Sequence, residues 1–403
     1  MLDPTGDISY FAQTTYRNKR QVFGIRQADR LSHMYVIGKT GVGKSTLLEN
    51  LIWQDTVAGR GVAVLDPHGE LIDHVKQVIP DRRRQDLIDF NVPDPANRVT
   101  FNPLQHVSAP RRGLAAGGML DAFKKLWADS WGPRLEHLLR NAIFALLEQQ
   151  DATLFDILRL FEDREYRSDA IRHVSNSQVR RFWLEEFPKY PPRLQAEAIA
   201  PVQNKVGAFL ADPVLQRILG NKQSSLLLRP VLDEGKILLV NLAKGRIGED
   251  TSSLLGSLLV SRINLAALSR AEVTESERPP FFAYLDEFQS FTSQAFVTML
   301  SELRKYRVGM VLAHQYLGQL DPAVYEAIVG NVGTLVAFRL GNTDAEVLAQ
   351  EFYPTFKQSD FANLANRHIY LRMMIDGTAS RPFSAETLDP MARGASPLSV
   401  QTP

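Results

Sequence analysis

Short apolar runs alternate along this chain with longer stretches in which apolar residues return at every third or fourth position. The runs Met34 to Ile37, Gly61 to Asp66, Asp86 to Val92, Lys236 to Ala243, Phe281 to Asp286, Val308 to His314, Thr334 to Leu340 and His368 to Ile375 have the length and residue types of strands. Several, such as GVAVLD, are apolar throughout, as in strands buried on both faces. Leu47, Leu48, Leu51 and Ile52 fall on one helical face, and a further helix begins near Glu70. From about Pro110 to Leu228 the strand pattern stops. There Arg134 to Gln150 and Thr153 to Asp163 carry apolar residues at helical spacing, which predicts an all-helical module. Neither flanking part has enough strands and helices to close alone, so the pattern predicts one α/β domain with a mostly parallel sheet, interrupted by an all-α insertion. The expected bounds are 1–109 and 229–390 for the two parts of the α/β domain, 110–228 for the insertion and a disordered tail at 391–403. Residues 16–30, YRNKRQVFGIRQADR, read as an edge strand or arm leading into the core.

Composition narrows the possibilities. At 403 residues and 44% hydrophobic content, the chain can bury a large core. It has no cysteine, which excludes a disulfide framework, thiolate catalysis and a cysteine zinc site. With 46 basic and 45 acidic residues the net charge is +1, so any nucleic-acid contact must come from local basic surface. Arg82-Arg83-Arg84, Arg111-Arg112 and Arg180-Arg181 are the candidates. Met1-Leu2-Asp3-Pro4 has neither the basic nor the apolar region of a signal peptide. The most apolar helical stretch, from Leu254, carries Arg262 near its centre and reads as too short for a bilayer. A soluble, cytoplasmic protein with no direct membrane span is expected.

Chemistry enters at GKTGVGKS, Gly38 to Ser45, set between the first apolar run and the first helix. The spacing is that of a P-loop, whose backbone N–H groups wrap phosphate oxygens at a helix N-terminus. Gly38, Gly41 and Gly43 permit the turn, and Thr40, Val42 and Thr46 complete the cradle. Lys44 is placed to bridge the β- and γ-phosphates and Ser45 to ligate Mg²⁺, while Lys39 is a solvated neighbour. FFAYLDEFQSF ends an apolar run with Asp286 and Glu287, the Walker B arrangement, with Asp286 in the Mg²⁺ shell and Glu287 polarising the attacking water. After the next run come His314 and Gln315, the latter placed to sense the γ-phosphate. Arg304, Lys305 and Arg307 precede that run, and one of them can act on a neighbouring subunit's nucleotide. In DPHGEL, Asp66 and Glu70 border the nucleotide or a subunit contact, or only cap the following helix, and His68 in its Pro-Gly turn fits a structural role better than a metal site. Together these motifs predict a RecA-like P-loop NTPase that uses ATP and Mg²⁺.

HMYVIGKTGVGKSTLLENLI, GVAVLDPHGEL, WGPRLEHLLRNAIFALLE, FFAYLDEFQSF, RVGMVLAHQYLGQL and GNVGTLVAFRLGNTDAEVLA resemble, in this order, the HerA/FtsK superfamily of DNA-pumping ATPases. Within it the chain is most similar to the TraG/TraD coupling proteins of type IV secretion and conjugation, over residues 20–388. The resemblance implies a ring hexamer around DNA with ATP between subunits. It gives Lys44 and Ser45 the Walker A roles, Asp286 and Glu287 the Walker B roles, Gln315 the third-motif role and Arg304 the role of the trans arginine. It further implies sequence-independent DNA contacts and a membrane-anchored or relaxase-type partner that recruits the protein to the inner membrane. Three readings follow: a DNA translocase or coupling ATPase, a protein-secretion ATPase, and an ATP-gated scaffold in DNA processing or antiviral defence.

Overall fold

The computed structural model describes residues 6–15, 19–292 and 294–390, so the tail expected at 391–403 lies outside the described residues. The chain forms two compact units, one of residues 1–91, 229–243 and 266–403, the other of residues 92–228 and 244–265.

The first unit is built on an 11-stranded sheet. Its strands are β1 (Ile8–Thr14), β2 (Val22–Arg26), β3 (Met34–Ile37), β4 (Gly61–Asp66), β5 (Leu87–Asn91), β6 (Ile237–Asn241), β7 (Phe281–Leu285), β8 (Val308–His314), β9 (Thr334–Ala337) and β10 (His368–Arg372). A small hairpin, β11 (Met374–Ile375) and β12 (Thr378–Ala379), then leads to β13 (Phe383–Thr387), which rejoins the sheet. In the order β2-β1-β13-β10-β9-β3-β8-β7-β4-β6-β5, the strands from β9 to β5 are parallel and the remaining four are antiparallel. This is the mostly parallel RecA-like sheet that the apolar runs predict. β3, β4, β6, β7, β8 and β9 are buried along their whole length, because helices cover both faces of a parallel sheet.

The antiparallel edge contains the strand expected in residues 16–30: β2 is the edge strand, paired with β1 as a hairpin that the apolar runs did not indicate, with residues 16–18 outside the described part. β1 escapes period-two reading because the register shifts between Tyr10 and Ala12, which puts Phe11 and Ala12 both in the core.

The second unit is helical and larger than the expected 110–228. It begins at Val92 because the chain after β5 leaves the sheet and folds among helices: Phe101 and Leu104 are buried, and Asn102 Nδ2 donates to the carbonyls of Ala152 (2.9 Å) and Lys222 (3.1 Å). It also takes residues 244–265, most of the helix Glu249–Ser269. That helix meets Arg112–Leu126 at Gly118, where a Cβ would fall 1.9 Å from Ser261 Oγ, so only glycine allows the approach. Asp163, Asn176 and Asp212 cap helices with their side chains, and Pro133, Pro192 and Pro213 occupy first turns where a missing N–H is harmless. Trp183 packs among Phe161, Phe182 and Phe187 as the aromatic centre of this unit.

The apolar stretch from Leu254 is longer than its sequence pattern suggests. Helical structure runs from Glu249 to Glu272, long and apolar enough to cross a membrane, with most of it buried inside the protein. The acids Glu249 and Asp250 extend it by favouring the positive end of the helix dipole. Arg262 lies within it and donates to the Gln105 carbonyl (2.9 Å).

Candidate active site

Parallel pairing of β3, β8 and β7 brings three loops to one edge. Ile37 lies opposite His314 and Leu285 opposite Leu312, so the chain leaves the carboxyl ends of these strands at Gly38, Gln315 and Asp286. Loops that diverge from this edge form the usual crevice for ligands of α/β sheets. A cleft of about 490 Å³ opens there, lined by Thr40, Gly41, Gly43, Lys44, Ser45, Thr46, Asp66, His68, Glu70, Leu71, Asp286, Glu287 and Gln315. Gly41 (φ 75°) and Gly43 (φ 115°) adopt left-handed conformations that turn the loop into the N-terminus of the helix Lys44–Val57. Gly38 is held by proximity: a Cβ would lie 2.5 Å from Phe338 Cβ.

The cleft concentrates charge. Lys44 is buried, and its ammonium donates to the carbonyls of Gly38 and Lys39, the latter at 3.1 Å. Burial lowers its pKa, against the pull of Glu287 and Asp286. The Asp286 carboxyl is pushed up to about 7, first by burial and then by Asp66 and Glu287, with Lys44 opposing. Asp286 thus stands between two further acids and one ammonium. A divalent cation would relieve this local excess of negative charge, and Ser45 and Asp286, which both line the cleft, would be the residues to hold it. Among the described residues no three acids or histidines make a metal-ligand cluster.

Glu287 sits in a left-handed backbone conformation (φ 45°) that non-glycine residues avoid, and it is buried. Such strain persists where the surroundings over-determine it, often at functional sites. Its Oε2 accepts from Gln289 Nε2 (2.8 Å), and Gln315 Oε1 accepts from the Thr40 hydroxyl (2.9 Å). Asp66 lines the cleft and also caps the helix Glu70–Val78, accepting from the backbone N–H of His68 (2.7 Å) and Leu71 (2.9 Å). His68 and Glu70 point to solvent at the rim.

Other sequence candidates lie elsewhere. Arg304 is exposed in the turn before β8, at the amino edge of the sheet, a strand length from the cleft or about 20 Å. Lys305 pairs with Glu302, and Arg307 has a left-handed backbone (φ 55°). Of the basic clusters, Arg83 drops out as a surface contact: it is buried, paired with Asp86 (2.8 Å) and donating to the carbonyls of Thr56 and Gly235. Arg84, Arg112 and Arg181 form ion pairs with Asp81, Glu148 and Glu185. Sequence reasoning missed Tyr35, whose hydroxyl hydrogen-bonds His314 Nε2; inside an apolar strand it carries no mark of a site residue.

Known proteins share this architecture. A family model described as "Helicase HerA, central domain" matches residues 25–263, and one described as "TraM recognition site of TraD and TraG" matches residues 280–352. The plasmid coupling protein TrwB, solved with the non-hydrolysable GTP analogue GDPNP, is similar at 15% identity over 92% of this chain and 88% of that chain, with a TM-score of 0.62. TrwB with ADP and Mg²⁺ gives 15% identity, coverage of 95% and 91%, and a TM-score of 0.63. VirB4 of Thermoanaerobacter pseudethanolicus gives 14%, coverage of 96% and 98%, and a TM-score of 0.63. At these identities the likeness carries the fold. No curated protein matches the chain in sequence. With the first model spanning more than half of its length, the chain belongs to the HerA helicase central-domain family of P-loop ATPases, and a TraG/TraD-type segment supplies β7, β8 and β9 of its sheet.

Proposed function

We propose that the chain is a Mg²⁺-dependent ATP hydrolase that assembles as a ring hexamer and moves DNA, serving as a coupling ATPase in conjugative or type IV secretion-like transfer. The observation that carries this reading is the meeting of Lys44, Ser45, Asp286, Glu287 and Gln315 around one cleft at the carboxyl edge of the sheet. In turnover Lys44 exchanges the Gly38 and Lys39 carbonyls for the β- and γ-phosphates. Ser45 and Asp286 would hold Mg²⁺, whose charge would screen the phosphate oxygens. Glu287 polarises the attacking water, and Gln315 leaves Thr40 to contact the γ-phosphate. Arg304, remote from its own cleft and exposed, serves the nucleotide of the adjacent subunit.

TrwB complexes with GDPNP, with an ATP analogue and with ADP and Mg²⁺ support the cofactor assignment. The match described as a TraM recognition site supports a protein partner that brings the DNA, and a membrane-anchored partner would recruit the ring to the inner membrane. The test follows ATP turnover and particle mass while random-sequence single- and double-stranded DNA are titrated at several salt concentrations. A translocase gives a hexamer whose turnover rises with either sequence-random DNA, with binding that weakens steeply in salt. A hexamer indifferent to DNA turns the reading toward protein secretion or an ATP-gated scaffold.

A further inference from the structure

Three buried rings lie beneath the cleft, two on strands that feed it and one in the turn just after β7. Tyr35 comes from β3, which runs into the phosphate loop; Phe288 directly follows Glu287; His314 ends β8 and precedes Gln315. All three are fully buried. They touch pairwise, with centroids 5.3 Å apart for Tyr35 and His314, 5.0 Å for Phe288 and His314, and 6.1 Å for Tyr35 and Phe288. The Tyr35 hydroxyl hydrogen-bonds His314 Nε2, and the His314 carbonyl accepts from Gly38 N–H (3.3 Å). His314 Nδ1 is buried with no hydrogen-bond partner. Native proteins seldom leave such an atom unpaired without a reason.

We propose that His314 is a positioning residue for hydrolysis: held by Tyr35, its ring sets Phe288, and through it the left-handed Glu287, in register with the phosphate loop and Gln315. The inference rests on the ATPase reading above. A displacement of the Gly38 loop would be felt at His314 through its carbonyl and its Tyr35 bond, and at Glu287 through the Phe288 ring. Burial, then Lys44, lowers the His314 pKa to about 3, so the ring is neutral near pH 7 and acts through shape and hydrogen bonding.

The test uses the full chain with Tyr35→Phe, His314→Phe, their double variant and His314→Gln, whose amide can still reach Tyr35. Thermal melting, the Kd for Mg-ADP and kcat for ATP are measured for each. We expect Tyr35→Phe and His314→Phe to keep Kd within about threefold and to lower kcat by about tenfold or more, less than the roughly 10²–10⁴ that a general base contributes in full, because the base is misplaced and not removed. The double variant should be no worse than the weaker single, as for one shared link, and His314→Gln should recover most of kcat. The shape of the kcat–pH profile should not change. Normal kcat in both single variants overturns the proposal. So does a fall in kcat matched by equal losses of Mg-ADP affinity and melting temperature, which marks a purely structural role. A wild-type chain that neither binds Mg-ADP nor turns over ATP removes the ATPase reading itself, and is told apart because it needs no variant.

Discussion

The helix Lys44–Val57 has a buried charge cluster at each end, and the two are finished differently. At its C-terminal end Asp55 is paired through both oxygens with Arg30 (2.6 and 2.8 Å), accepts from Tyr284 (2.6 Å) and is approached by Arg60 (3.3 Å). The Arg30 guanidinium also lies 3.8 Å over the Phe282 ring. Burial lowers the Arg30 pKa, but Asp55 and Tyr284 more than offset it, so the net shift is upward. A cation beside a helix C-terminus is favoured further by the dipole. At the N-terminal end Lys44 faces Asp286 and Glu287, and burial with repulsion from Asp66 and Glu287 leaves Asp286 titrating near neutrality. Asp55 has its cations and hydrogen-bond donors supplied by the chain; Asp286 stands among acids with one ammonium, where a bound cation would relieve the repulsion. That contrast separates a structural ion pair from a site built for a metal-nucleotide complex.

The largest expected break of this comparison is Lys44→Ala. ATP turnover should fall by about 10³ or more, and the melting temperature should fall as Asp286 and Glu287 lose their ammonium, while the chain still folds because the loop is shaped mostly by backbone. Normal turnover would remove the phosphate role. Arg304→Ala should lose a similar factor, with part of the activity returning when its subunits are mixed with Lys44→Ala subunits, since an intact Arg304 then meets an intact Lys44 site. Mixtures no more active than the separate variants contradict a trans role. At the other end, Arg30→Ala removes the bidentate partner of Asp55, leaves it only Arg60 and Tyr284, and should cost about 3 kcal/mol in chemical unfolding. A loss under about 1 kcal/mol would place that pair among weakly contributing ones. Glu287→Gln should bind Mg-ATP normally and hydrolyse it about 10² slower; near-normal turnover would move the water-activating role to another residue.

The smallest effect is in pH. An Asp286 pKa of about 7 in the folded chain, against 3.8 for the unconstrained group, means that the fold binds this proton more tightly. The stability from that proton is complete below the unfolded value and is lost as pH rises through about 7. Mg²⁺ competes with the same proton, so Mg-nucleotide affinity should rise by up to about tenfold between about pH 6 and 8. Affinity flat across that window contradicts the shift.

Legibility in the sequence followed the length scale of each interaction. The wholly buried strands β4, β6, β7 and β8 are apolar runs because two helical layers cover them, and the run itself records that. β1 and β13 are partly exposed, and the bulge at Tyr10 to Ala12 breaks the alternation that would reveal β1. The start of the helical unit at Val92 depends on Asn102 finding carbonyls some 50 and 120 positions away, which no local pattern encodes. At the cleft, Lys44, Ser45, Asp286 and Glu287 stand in spacings that strand–loop–helix geometry imposes locally. The left-handed Glu287 and the bond from Tyr35 to His314 arise only when β3, β7 and β8 lie side by side.

The carboxyl-edge cluster holds an excess of negative charge around Asp286 that a nucleotide-bound Mg²⁺ would relieve. The most direct test of this is the melting temperature of wild type and Asp286→Asn near pH 8, each with and without Mg²⁺ and a non-hydrolysable ATP analogue. Removing one of three crowded carboxylates should raise the melting temperature of the nucleotide-free chain and abolish the stabilisation that Mg-nucleotide gives the wild type. A nucleotide-free Asp286→Asn chain that melts lower than wild type, yet is stabilised equally by Mg-nucleotide, would contradict it.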